Sequence, residues 1–169
     1  MKKIVLISLM VSTILLSAEI VGGFGLALGD TFDTTKATST SKTTSGEILY
    51  GVAPPKKLKY FKNYYVLITP KTKKIKQIWG MSNYENTATC NKDLEVIAIL
   101  LENKYGKLEK KISMDQTRAI TIGENRVSIK CSGFMKPDMY LQYTSYKLIE
   151  LSKREAAELE AEKIDTSAL

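Results

Sequence analysis

Cys90 and Cys131 are the only cysteines of this 169-residue chain, and histidine is absent altogether. Those two facts settle most of the chemistry open to it. Without histidine there is no Ser-His-Asp or Cys-His nucleophile activation, and the commonest general base and metal ligand are missing. Two cysteines allow one pairing, and in an oxidising compartment an even count reads as a disulfide. Their separation does not fit the Cys-x-x-Cys pattern of redox motifs. A bridge would close a loop of about 40 residues and contribute roughly 4 kcal/mol in the chain-entropy treatment. It would also withdraw both thiolates from nucleophilic and zinc chemistry. Carboxylates, Lys, Tyr, Ser and Thr remain, and the chain shows no motif of paired acids or Ser-Lys. The expectation is a non-enzyme with no catalytic residue, metal or cofactor. A histidine-free hydrolase, with two carboxylates or a Ser-Lys pair converging in a pocket, is the remote alternative.

The second chemical feature is a band of lysines among aromatics. Lys56, Lys57, Lys59 and Lys62 flank Tyr60, Phe61, Tyr64 and Tyr65, and Lys71, Lys73, Lys74 and Lys76 crowd the next turn. Interleaved basic and aromatic residues bind anionic polymers or surfaces by charge and stacking. A half-buried strand gives the same pattern, with aromatics inside, lysines outside and the edge protected from aggregation. The eight lysines are therefore a candidate anionic-surface site with a structural reading beside it. The third feature is acidic: Glu155, Glu158, Glu160, Glu162 and Asp165 on a C-terminal helix. An acidic helix beside a basic sheet predicts docking of one on the other, within the molecule or between copies.

The compartment follows from the first eighteen residues. Lys2 and Lys3 precede an apolar run from Ile4 to Leu16, and Ser17-Ala18 offers small residues for cleavage. This is the pattern of a secretory signal peptide. The run is shorter than the ~20 residues a spanning helix needs, so the mature chain is expected to start near Glu19 and not to span a membrane. Cleavage leaves one domain's worth of chain. Losing the two leader lysines lowers the net charge from +7 to +5. That mild basicity in an exported protein, periplasmic or secreted, points to anionic surfaces or a protein partner and not to nucleic acid.

The elements that must position these residues are legible in outline. Val21 to Leu28 alternates Gly23, Gly25 and Ala27 with Phe24, Leu26 and Leu28, which predicts a strand, with Asp30 free to cap a brief helix. The glycine spacing does not fit a phosphate-binding loop. Residues 31–45 are ten parts in fifteen Ser or Thr and read as a mobile surface loop. Strands follow at Glu47–Ala53, stopped by Pro54-Pro55, at Phe61–Thr69, and at the return marked by Ile75, Ile78 and Trp79. Residues 91–105 predict a helix capped by Asn91, with Leu94, Ile97, Ala98, Leu101 and Tyr105 on one face and Gly106 as its stop. Ala119–Ile122 and Val127–Cys131 form a second hairpin, Met139–Tyr143 a further strand, and from Lys147 the composition is that of a helix, with Glu150 and Arg154 paired.

The leader, the Phe24–Gly29 segment, the tyrosine-rich hairpin, the helix ending Lys104-Tyr105-Gly106 and the charged C-terminal helix together resemble a loose group of small exported (periplasmic) bacterial proteins of unassigned function. The resemblance implies no catalytic or binding residue. The expected architecture is α+β in a single domain: an antiparallel sheet of five or six strands packed by one amphipathic helix, with a peripheral C-terminal helix. Its parts are a signal peptide (1–18), a glycine-rich strand and Ser/Thr-rich loop (19–46), an α+β core (47–146) and a charged helix and tail (147–169). The expected function is that of an exported envelope protein binding a protein or an anionic envelope surface. An enzyme-inhibitor or immunity-type module is the alternative.

Overall fold

Strand-forming residues dominate ahead of each of the two helical segments, and in a computed structural model they pair into one continuous eight-stranded sheet. The structure describes residues 18–43, 46–112 and 116–167; the predicted leader lies outside them except for Ala18. The first meander is β3 (Ser39–Lys42), β4 (Ile48–Gly51), β5 (Asn63–Ile68) and β6 (Ile75–Asn83), followed by α1 (Thr87–Tyr105). The second is β7 (Glu109–Ile112), β8 (Gln116–Ile122), β9 (Asn125–Ser132) and β10 (Asp138–Ser145), followed by α2 (Tyr146–Ser167). The spatial order is β3-β4-β5-β6-β10-β9-β8-β7, all antiparallel. Two ββββα halves thus meet at the β6–β10 pair, where Leu141 faces Gly80.

The α+β class, the antiparallel sheet and the terminal helix agree with the sequence reading, but the sheet has eight strands where five or six were expected. The additional strands are edge strands. β3 lies inside the Ser/Thr-rich stretch expected to be a mobile loop. Its residues Ser39–Lys42 pair with Ile48–Gly51, and Asp33 caps a 3-10 turn at Thr34–Lys36 in place of Asp30. Thr and Ser tolerate a solvated edge because the ladder supplies the hydrogen bonds that apolar burial does not. The Val21–Leu28 segment is a hairpin and not one strand: β1 (Gly22–Gly23) pairs with β2 (Leu26–Ala27). Its turn places Phe24 at φ 60° and Gly25 at φ 79°, the paired left-handed conformation of a tight hairpin.

One cluster fills the covered face of the sheet, with Val66, Ile78, Ile129, Leu141 and Met139 all buried against Leu94, Ile97 and Leu101 of α1. Helix α1 packs on β8, β9 and β10. The same face over β5 and β6 is closed by the β1–β2 hairpin, where Phe24 meets Tyr64 edge-on with ring centroids 4.8 Å apart. Cys90 and Cys131 are bonded as expected, with their Cα atoms 6.1 Å apart, and the bridge ties helix to sheet. The start of α1 differs: Asn86, not Asn91, is the cap, its side chain accepting the N–H of Thr89 at 2.9 Å. Gly106 closes the helix at φ 96°, its N–H bonded to the Glu102 carbonyl.

Candidate interaction surfaces

Among the described residues no group of three or more acidic, cysteine or histidine side chains is placed to hold a metal. Nor do the shifted phenols make a base. Burial pushes Tyr143 well above its ordinary value, and burial together with the Asp93 hydrogen bond does the same at Tyr84. Tyr64 also moves upward on burial; its hydroxyl receives the Leu58 N–H at 2.9 Å and donates to the Leu58 carbonyl at 3.0 Å. Tyr84 donates to Asp93 and Tyr64 to the Leu58 carbonyl, so these two phenols serve as structural donors.

The eight lysines of the band do not form one patch. Lys56, Lys57, Lys59 and Lys62 are exposed on the loop entering β5, whereas Lys71, Lys73, Lys74 and Lys76 belong to the turn leaving it and the start of β6. β5 separates the two sets by about 20 Å, at some 3.3 Å per residue. The second set is largely committed inside the molecule. Lys71 Nζ reaches Glu158 and Glu162 of α2 at 3.3 and 2.9 Å, and Lys73 Nζ bonds the Pro70 carbonyl. Lys76 is the residue the β5–β6 register skips; it is buried and paired with Glu47, and it donates to Ser152 at 2.7 Å. The expected docking of the acidic helix on basic residues is therefore intramolecular. Within α2, Glu150 pairs with Lys153 at 2.7 Å rather than with the expected Arg154.

The first set has different company. The loop Lys59–Lys62 lines a cleft with Ser82, Tyr84 and Asp93, and Lys59 Nζ stands 5.1 Å above the Tyr60 ring. On the far side of Tyr84 lies the β9–β10 loop, where Phe134 is 94% and Met135 78% exposed. Its signal in the sequence was an adjacent Phe and Met between Gly133 and Pro137, where polar residues are usual.

The other face of the sheet carries a second surface that the sequence did not reveal. One continuous rung crosses all eight strands: Ser39, Gly51, Tyr65, Trp79, Gln142, Ser128, Ala119 and Glu109. The adjoining rung holds Asn63, Met81, Tyr140, Lys130, Thr117 and Lys111. Tyr65, Trp79, Met81, Tyr140 and Gln142 are half-buried and none belongs to the core cluster. Trp79 and Tyr140 meet edge-to-face at 6.2 Å, and Lys130 Nζ stands 5.3 Å from the Tyr140 ring. Toward α2 this face closes, with Leu67 and Thr144 buried.

These features define a class: a disulfide-tied α+β domain whose eight-stranded sheet is covered on one face and carries aromatic and amide side chains on the other. Comparison with family models, curated proteins and solved structures finds no match for the chain.

Proposed function

We propose that this is an exported, non-enzymatic binding protein whose open sheet face takes a protein partner. The observation that carries the reading is the Tyr65–Trp79–Gln142 rung with Met81 and Tyr140 beside it. Aromatic side chains with a polar handle, mixed with amides and hydroxyls, are the composition of interface centres. Seven strand spacings of about 4.8 Å make the central rung about 34 Å long. The leader pattern and the buried disulfide support export. An inhibitor-type module would use the same surface, and the two readings share one experiment. Capture from an envelope extract should yield one stoichiometric protein that is lost with Trp79→Ser/Tyr140→Ser while the fold, checked by circular dichroism, is kept. Capture unaffected by that pair of substitutions would remove the sheet face from the function.

A further inference from the structure

The two elements that cover the sheet leave a seam over β10. Both α1 and the β1–β2 hairpin rest on that strand. Between them, beside the loop entering β5, lies a cleft of about 400 Å³. Small-molecule sites run from roughly 300 to 1,000 Å³. The apolar wall of the cleft is Val21, Phe24, Leu26 and Leu58. Val21 is 54% and Leu58 39% exposed, so the wall is open to an incoming ligand. It is also fixed in place. The Lys56 N–H bonds the Phe24 carbonyl and the Leu28 N–H the Val21 carbonyl, both at 2.9 Å. The Tyr64 hydroxyl holds both the N–H and the carbonyl of Leu58. A preformed wall loses little binding energy to ordering.

The polar lining is one-sided. Lys56 and Lys104 are exposed, and Lys104 Nζ stands 4.8 Å from the Tyr105 ring. Tyr143 also lines the cleft and is only 7% exposed. Bare backbone at Gly23 lies on its ring, where a Cβ would stand 2.2 Å away. Burial and the neighbouring Tyr105 keep the Tyr143 phenol protonated, a donor for which no described residue serves as acceptor. The Tyr105 hydroxyl is likewise buried without a partner. Among the described residues no carboxylate lines the cleft. Glu19 and Glu102 flank it in sequence but lie outside it, and Glu102 accepts the Leu108 N–H at 3.1 Å. Buried donors and positive charge without an acceptor call for an anion.

We propose that this cleft binds a small carboxylate with a straight apolar chain, of the fatty-acid class. The carboxylate accepts from Tyr143 and the two ammonium groups, and the chain lies along Phe24, Leu26 and Leu58. A compact polar anion would leave that wall in water, and a neutral chain would leave the phenol without its acceptor. The site is independent of the open sheet face: it lies on the covered side and takes a small molecule, not a protein.

The test follows backbone amide resonances of the isotope-labelled full chain during titration with decanoate below its micellar range. Acetate and decanol are the controls. Decanoate should move the amides of residues 21–26, Leu58, Lys104 and Tyr143. Acetate should move none, and decanol should bind about tenfold more weakly, lacking the charge that strengthens each hydrogen bond. Lys56→Gln/Lys104→Gln and Tyr143→Phe should each weaken decanoate by about tenfold, the worth of a hydrogen bond to a charged group. Tyr143→Phe keeps the ring that meets Phe24, and both lysines are exposed, so each variant should retain the wild-type circular dichroism. Equal affinity for decanol and decanoate overturns the proposal, as does wild-type affinity in either variant. So do shifts gathered around Trp79 and Tyr140 in place of the cleft, or no shifts at all.

Discussion

Glu155 of α2 receives the backbone N–H of Thr72 at 3.1 Å, and with it the N–H of Lys71 at 2.7 Å and the Thr72 hydroxyl. One carboxylate thereby closes the β5–β6 turn and fastens the helix to it. The remaining inner positions of α2 explain why this matters. Leu148, Leu151 and Leu159 are only half-buried, and none joins the core cluster. Among the described side chains of α2 the buried ones are Ser152 and Glu155, so polar bonds, not apolar packing, set where the helix lies.

Glu155→Ala should therefore destabilise the protein by about 2 kcal/mol at neutral pH, since it strands two backbone donors beneath the helix. Lys71→Ala should cost clearly less and respond to salt, because its pairs with Glu158 and Glu162 are exposed. Urea titration of the two variants ranks the contacts. Equal losses would mean that the ion pairs, and not the capped turn, hold α2.

The same carboxylate gives a pH dependence with a fixed sign. Covering Glu155 raises its pKa, but the bonds from Thr72 and the Lys71 and Thr72 N–H groups outweigh this, and the net value lies below the ordinary 4.5. A carboxyl depressed on folding contributes stability above its unfolded pKa and loses it as pH falls through the folded value. The gap between wild type and Glu155→Ala should be constant from pH 6 to 8 and shrink below about pH 4.5. A gap that widens in acid would contradict the assignment.

The disulfide links α1 to β9 across 41 residues, and both cysteines are buried. Cys90→Ser/Cys131→Ser should cost about 4 kcal/mol, much of it through the freed unfolded chain. That is a large part of the 5–15 kcal/mol total typical of a domain. Comparing urea midpoints of the variant with those of oxidised and reduced wild type measures it.

How much of this was legible depended on which residues bury apolar surface. α1 announced itself because Leu94, Ile97, Ala98, Leu101 and Tyr105 repeat at helical spacing and all face the core. β5 and the β8–β9 hairpin showed through their branched and aromatic runs. β3 was invisible, since Ser39–Lys42 buries nothing and exists only through its partner β4. β7 is another short polar edge strand, Glu109–Ile112, paired only with β8. The lysine band was legible as residues but not as a surface, because chain proximity hid the length of β5 between its halves. Trp79 and Tyr140 are 61 positions apart in sequence, and only the β6–β10 pairing makes them neighbours. Phe134 and Met135 were readable as an anomaly in a turn; their exposure was not.

The last prediction concerns the hairpin that covers the sheet over β5 and β6. Phe24 takes a left-handed backbone at φ 60°, which costs a non-glycine residue on the order of 1 kcal/mol. Its ring repays that by lying edge-on to Phe61, Tyr64 and Tyr143, at 5.8, 4.8 and 6.0 Å. The ring fits there because β6 carries Gly80 beneath it: a Cβ at that position would stand 2.7 Å from the Phe24 ring and 2.9 Å from Phe61. Gly80→Ala should destabilise by about 1–3 kcal/mol through overpacking, and Phe24→Ala by about 3–5 kcal/mol through the cavity it opens. The double variant decides the mechanism. If the clash is with this ring, removing the ring makes room for the methyl, and the combined loss falls short of the sum by a kilocalorie or more. Strict additivity in urea unfolding would show that Gly80 is needed for its backbone alone, and that the hairpin does not rest on the contact between these two residues.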